Sequence, residues 1–201
     1  MTAMQRLPHA AHRTETPELP GDLAMWCFIL AELAVFALLL GSMAYVRGRW
    51  PDMFSAGVAT LHPVAGLANT LTLLTGSYWV ALGIAALKRG NGASVVWWFR
   101  AGAATGLIYL VVKSVEYQQM FAAGYTLRTN TFYFFYYFTT FFHLMHVVLG
   151  IIILLVVASR FKRGAYRCAH TQRMASESAA SYWHMVDLVW LMLFPLLYVL
   201  P

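Results

Sequence analysis

Charge is scarce in this sequence. Only 11% of its 201 residues are Asp, Glu, Lys or Arg, where a soluble domain carries roughly 25%. With 60% hydrophobic residues and a mean hydropathy of +0.61, that shortage excludes a water-soluble globule, because a chain of this size cannot hide so much apolar surface from water. Cysteine is rare too. Cys27 lies in an apolar stretch and Cys168 in a polar one, so neither a disulfide framework nor a cysteine-based metal site is expected. The run Cys168-Ala169-His170 lacks zinc-knuckle spacing. No Cys-x-x-Cys-His motif occurs, and the glycine-rich basic run Lys88-Arg89-Gly90-Asn91-Gly92 lacks the phosphate-loop pattern. There is no internal repeat and no long hydrophilic domain. Residues 1–21 contain Pro8, Pro17 and Pro20 but no apolar core or small-residue cleavage site, which excludes a secretory signal. A mobile polar tail is expected there, with Asp22 capping the first helix.

What fills the chain instead is apolar sequence. Five stretches, at about 22–46, 63–87, 95–123, 130–159 and 178–200, each hold roughly the 20 residues that cross 30 Å of hydrocarbon as a helix. Transmembrane strands would be about half as long and would alternate in polarity. The expected fold is all-α: a polytopic membrane protein, one five-transmembrane-helix bundle. The net charge of +6 sits in the connections rather than in a patch, so it reads as topology and not as a nucleic-acid site. With the N-terminus inside, the inner side holds Arg6, Arg13, Lys88, Arg89, Arg100, Arg160, Lys162, Arg163, Arg167 and Arg173. The outer side holds Arg47, Arg49 and Arg128. That excess predicts a cytoplasmic N-terminus and a periplasmic C-terminus in a bacterial inner membrane. Trp97 and Trp98 then mark the inner interface, and Trp50 with the start of the run 132–138 marks the outer one. The aromatic run reads as belt and packing. Small residues in 66–77 and 101–106 predict close helix contacts.

Seven ionisable residues interrupt the apolar spans: Glu32, Lys113, Glu116, His143, His146, His184 and Asp187. A lone ionisable group in hydrocarbon is costly, so each is expected to be buried with a partner. Counting rise along the helices places Glu116 level with His143, and His146 level with Asp187. Lys113 precedes Glu116 by one turn on the same face. Three readings fit. The first is a metal-free hydrogen-bond network that fixes helix packing. The second is a metal site built from the His, Glu and Asp groups, although the repeated Glu-x-x-His of metal-binding bundles is absent. The third is a proton relay or small proton-linked transporter, although broken helices and repeats are absent.

Four segments in order resemble a known family. Trp26-Cys27-Phe28-Ile29-Leu30-Ala31-Glu32 resembles its Phe-Ile-x-x-Glu helix. Ala68-Asn69-Thr70-Leu71 through Thr75-Gly76-Ser77 resembles its Leu-Asn-Thr segment with a following Ser/Gly pair. Glu116-Tyr117 is followed by Thr140-Phe141-Phe142-His143-Leu144-Met145-His146, and Tyr182-Trp183-His184-Met185-Val186-Asp187 is the most specific piece. The family is subunit III of the haem–copper cytochrome c and quinol oxidases. The chain resembles its short five-helix bacterial form. Lys113, where oxidase subunits often carry a neutral polar residue, resembles the NorE-type proteins associated with bacterial nitric oxide reductases. The resemblance implies a non-catalytic accessory subunit with no catalytic, cofactor or metal residues of its own. Haem, with copper or iron, would belong to a partner catalytic subunit. Membrane lipids would surround the chain, and bound phospholipid would fit it.

Overall fold

The computed structural model describes residues 21–166 and 168–200, and the tail expected over 1–21 lies outside them apart from Gly21. Among the described residues the chain is helical with no strand. Helix α1 is Leu23–Arg49, α2 Pro51–Val58, α3 Pro63–Lys88, α4 Gly92–Ala122, α5 Thr131–Lys162 and α6 Ala169–Phe194. A π-helical turn, Pro195–Val199, continues α6. Five of these helices are long and apolar enough to cross a membrane. The protein is a multi-pass membrane protein.

Local chemistry sets the helix starts. Asp22 accepts from Ala24 N at 3.2 Å, Asn91 from Ser94 N at 3.2 Å and Asn130 from Tyr133 N at 3.1 Å. Each bond satisfies a backbone donor that the first turn leaves free. Proline opens α2 and α3, where its missing N–H costs nothing. Gly90 and Gly164, at φ 79° and 63°, follow the ends of α3 and α5 in the left-handed conformation that suits glycine after a helix. Several helices run further than hydropathy suggests, because polar turns at their ends extend them past the membrane. Helix α6 begins at Ala169, well before the apolar stretch. Helix α2, hidden behind the Arg47–Pro51 stop, was not expected.

Helices α3, α4, α5 and α6 close into a ring, each packed on the next and α6 back on α3. The closest pairing, α3 with α4, rests on glycine. A Cβ on Gly102 would lie 2.6 Å from Val80 Cγ2, and one on Gly76 would overlap the Thr105 hydroxyl. On the next seam, a Cβ on Gly106 would lie 2.8 Å from Ile151 and Trp183. In lipid, where tails match side chains in polarity, such close approach is a main source of helix association.

Helix α1 stands apart. Only 11% of its most apolar window is buried, against 56% for the last span. It leans on α6 and touches α5 lightly. Its ends are fastened by hydrogen bonds. Gly21 N donates to Glu177 Oε2 at 3.2 Å and Asp22 N to Ser178 Oγ at 3.0 Å. At the other end Arg47 donates to Leu196 O at 3.0 Å and to Leu200 O.

Candidate functional site

The seven polar groups expected to form one network separate into distinct sets. The largest is built on α4. Lys113 and Glu116 are one turn apart, 0% and 3% exposed, and Lys113 Nζ donates to Glu116 Oε2 at 3.2 Å. Its other hydrogens go to Tyr136 OH at 3.1 Å and Tyr198 OH at 2.6 Å. Both tyrosines then donate to Glu116 Oε1, at 2.8 and 2.6 Å. An ammonium has three hydrogens and no acceptor, and a carboxylate accepts only. The loop therefore closes with every donor matched. Four rings enclose the ammonium: Tyr136, Tyr198, Tyr117 and Trp190, with centroids 4.6, 5.2, 5.3 and 5.7 Å from Nζ. Their negative faces add to its stabilisation.

His143 is not part of this set. The depth match with Glu116 fails because Tyr136, two turns earlier on α5, occupies the carboxylate instead. The His143 ring is fully buried and neither nitrogen has a hydrogen-bond partner among the described residues. It packs against Tyr109, Trp190 and Phe36, at centroid distances of 5.6, 5.3 and 6.4 Å. The Tyr109 hydroxyl and the Asn69 amide, also fully buried, are likewise without a partner among the described residues.

The match of His146 with Asp187 also fails. His146 Nε2 lies 3.0 Å from Glu32 Oε2, across α5 and α1, and its Nδ1 lies 2.7 Å from Phe142 O. A carbonyl only accepts, so Nδ1 carries a hydrogen. The 3.0 Å contact to a carboxyl oxygen then requires a further proton held between Nε2 and Glu32. Glu32 is half-buried rather than buried.

Asp187 and His184 belong to the α3–α6 seam. His184 Nδ1 meets Ser77 Oγ at 3.2 Å, and the Asp187 Oδ1 atom, one turn further on, has no hydrogen-bond partner among the described residues. Asp187 is buried, but His184, expected inside, is exposed on the bundle surface. One turn beyond Asp187, Trp190 Nε1 donates to Thr70 Oγ1 at 3.0 Å.

Residues that sequence reasoning passed over complete these sets. Tyr136 lay within the aromatic run taken as belt and packing. Phe134 and Phe138 do face outward, each 45% exposed, whereas Tyr136 is 0% exposed. Its position seven residues before His143, on the same face of α5, was the available signal. Tyr198 and Glu177 carried no comparable signal. Among the described residues no three His, Cys, Asp or Glu side chains converge as a metal site would require.

The sequence profile described as cytochrome c oxidase subunit III matches residues 22–200. The chain belongs to the cytochrome c oxidase subunit III family. It is 32% identical over 182 residues to cytochrome c oxidase subunit 3 of Synechocystis, covering 89% of this chain and 76% of the relative. It is 34% identical over 193 residues to cytochrome c oxidase subunit 3 of Thermostichus vulcanus, covering 94% and 91%. The heme-copper oxidase subunit I+III of Aeropyrum pernix is 29% identical over 205 residues, covering 96% of this chain and 24% of that one. The subunit III family and its helical membrane bundle are thus as the four sequence segments led one to expect.

Proposed function

We propose that this chain is a non-catalytic subunit of a haem–copper respiratory complex, packed in the membrane beside a haem-bearing catalytic subunit and supporting its assembly, stability or lipid and proton surroundings. The family match over residues 22–200 carries this reading. A relative whose name joins subunits I and III in one protein supports the partner. The polar side chains support a structural role. Lys113 and Glu116 are bound by tyrosines, His146 by Glu32, and His184 by Ser77. Each set joins two or more helices, which favours fixed packing over a transport path. The haem, and the copper or iron with it, are assigned to the partner. No residue of this chain is proposed as their ligand.

The complex is a terminal oxidase or a nitric oxide reductase, and the buried Lys113 favours the type associated with the latter. The membrane is the bacterial inner membrane, with the basic connections inside. The test is purification through a tag on this chain in mild detergent. A haem-bearing membrane subunit should co-purify at a fixed ratio, and its identification by mass spectrometry names the acceptor. A chain that is always isolated without haem would overturn the proposal.

A further inference from the structure

A cleft of 540 Å³ opens where the start of α4 meets the end of α5 and the first turn of α6. Val96 and Arg100 line it from α4, Phe161 and Lys162 from α5, and Gln172 from α6. Two cations from different helices thus share one cleft, and no carboxylate lines it. Among the described residues neither the Arg100 nor the Lys162 side chain has an ion-pair partner.

Arg100 is exposed, yet it lies eight residues past Gly92, the first residue of α4. That is roughly 12 Å along the helix, beyond the Trp97-Trp98 pair that marks the interface. A charge there is costly without a counter-charge. Helical side chains lean toward the N-terminus of their own helix. Arg100 therefore leans back toward the membrane surface, and Lys162, at the end of the antiparallel α5, leans away from it. The two cations approach the cleft from opposite ends. A Cβ on Gly92 would lie 3.7 Å from Phe161, an ordinary contact. Packing of α4 on α5 does not need glycine at that position, and the missing side chain leaves the cleft open.

We propose that this cleft binds a phosphate ester anion between Arg100 and Lys162, with the Gln172 amide as a further donor. The planar fork of a guanidinium matches a pair of phosphate oxygens, and an ammonium adds a point charge. Two positive charges without an acid select an anionic headgroup over a zwitterionic one. Val96 and Phe161 beside the cations form an apolar wall, which an acyl chain covers and a soluble phosphate ester leaves wet. The source assigned is therefore an anionic phospholipid. The site is built from this chain alone, so it stands or falls separately from the accessory-subunit reading.

Native mass spectrometry of the full chain, purified in mild detergent and stripped of lipid, tests the site. The chain should take up one phosphatidylglycerol in preference to phosphatidylcholine. Arg100→Gln and Lys162→Gln should each weaken that first binding about tenfold, the worth of one charge-assisted hydrogen bond. Lys88→Gln makes the same charge change at the same end of the bundle but in another cleft, and should leave binding unchanged. Gly92→Leu keeps both cations and fills the cleft, so it should weaken binding too, and it serves where an Arg100 variant fails to fold. Glycerol phosphate, which has no acyl chain, separates the sources. Much weaker binding than the lipid supports the phospholipid, and equal binding keeps the site but overturns the lipid as its source. No preference for phosphatidylglycerol in the wild type, an equal loss in Lys88→Gln, or unchanged binding in folded Arg100→Gln or Gly92→Leu overturns the site. A chain that co-purifies haem but shows no such preference overturns the site and leaves the functional reading standing.

Discussion

Lys113 is the residue on which the interior chemistry turns, because its charge is balanced inside the bundle and nowhere else. Lys113→Met removes that balance and leaves the Glu116 carboxylate with two tyrosine hydroxyls. The expected cost is about 3–5 kcal/mol, the range for one partner of a buried pair. Adding Glu116→Gln should recover part of it. A double variant that melts in detergent no higher than Lys113→Met would count against the pairing. The two histidines one turn apart on α5 should behave oppositely. His143→Phe keeps a ring in an aromatic pocket and removes two unsatisfied nitrogens, so stability should hold or rise. His146→Phe strips Glu32 of its partner and should lower stability by about 1–3 kcal/mol. Equal losses in the same melting assay would show that His143 has a partner after all. Sequence could not separate these two residues. Counting along a helix gives height in the membrane but not direction around the axis. His146 has the right height for Asp187 and points at Glu32.

At the scale of elements, the five spans were legible because hydropathy is local: each segment must satisfy its own backbone in lipid, so the pattern lies in consecutive residues. Helix α2 and the turn Pro195–Val199 were not legible, since each is too short to carry such a pattern. The small-residue runs were legible as contact surfaces, but which helix they met was not. Gly76 now has a named opponent. Gly76→Ala should force its methyl into the Thr105 hydroxyl, which is tied to Gly102 O at 2.7 Å. A destabilisation of about 1–3 kcal/mol is expected from overpacking. Thr105→Ala in the same chain opens the space, and the melting temperature should return most of the way. Failure of that rescue would mean the α3–α4 seam is tight for another reason.

For the whole molecule, orientation in the membrane is the property on which every depth depends. Cys168 offers a direct reading. It is exposed just ahead of α6, and the Thr171 hydroxyl 3.1 Å from its sulfur, with backbone groups of Thr171 and His170, holds the thiol below its usual pKa. Its thiolate fraction near neutral pH is therefore raised, and thiolate is the reactive form. With the basic connections inside, a membrane-impermeant maleimide should label Cys168 in inverted vesicles and leave it unlabelled in intact spheroplasts. Cys27, on the α1 face that looks into lipid, should stay unlabelled in both. Labelling in spheroplasts would invert the orientation.

The fastening of α1 at its two ends also has a consequence in time. Its N-terminal end is bonded to residues 156 positions later in the chain, and its C-terminal end to a carbonyl 153 positions later. A ribosome adding about 5–20 residues per second needs roughly 8–30 s to reach those partners. Through that interval α1 is in the bilayer with neither end secured and with the Glu32 carboxyl waiting for His146, 114 residues downstream. Helix α1, made before its partners, is thus among the last to settle. Assembly of this protein is finished from its C-terminal end backwards, and a membrane quality-control protease would find α1 its most accessible target until α6 arrives.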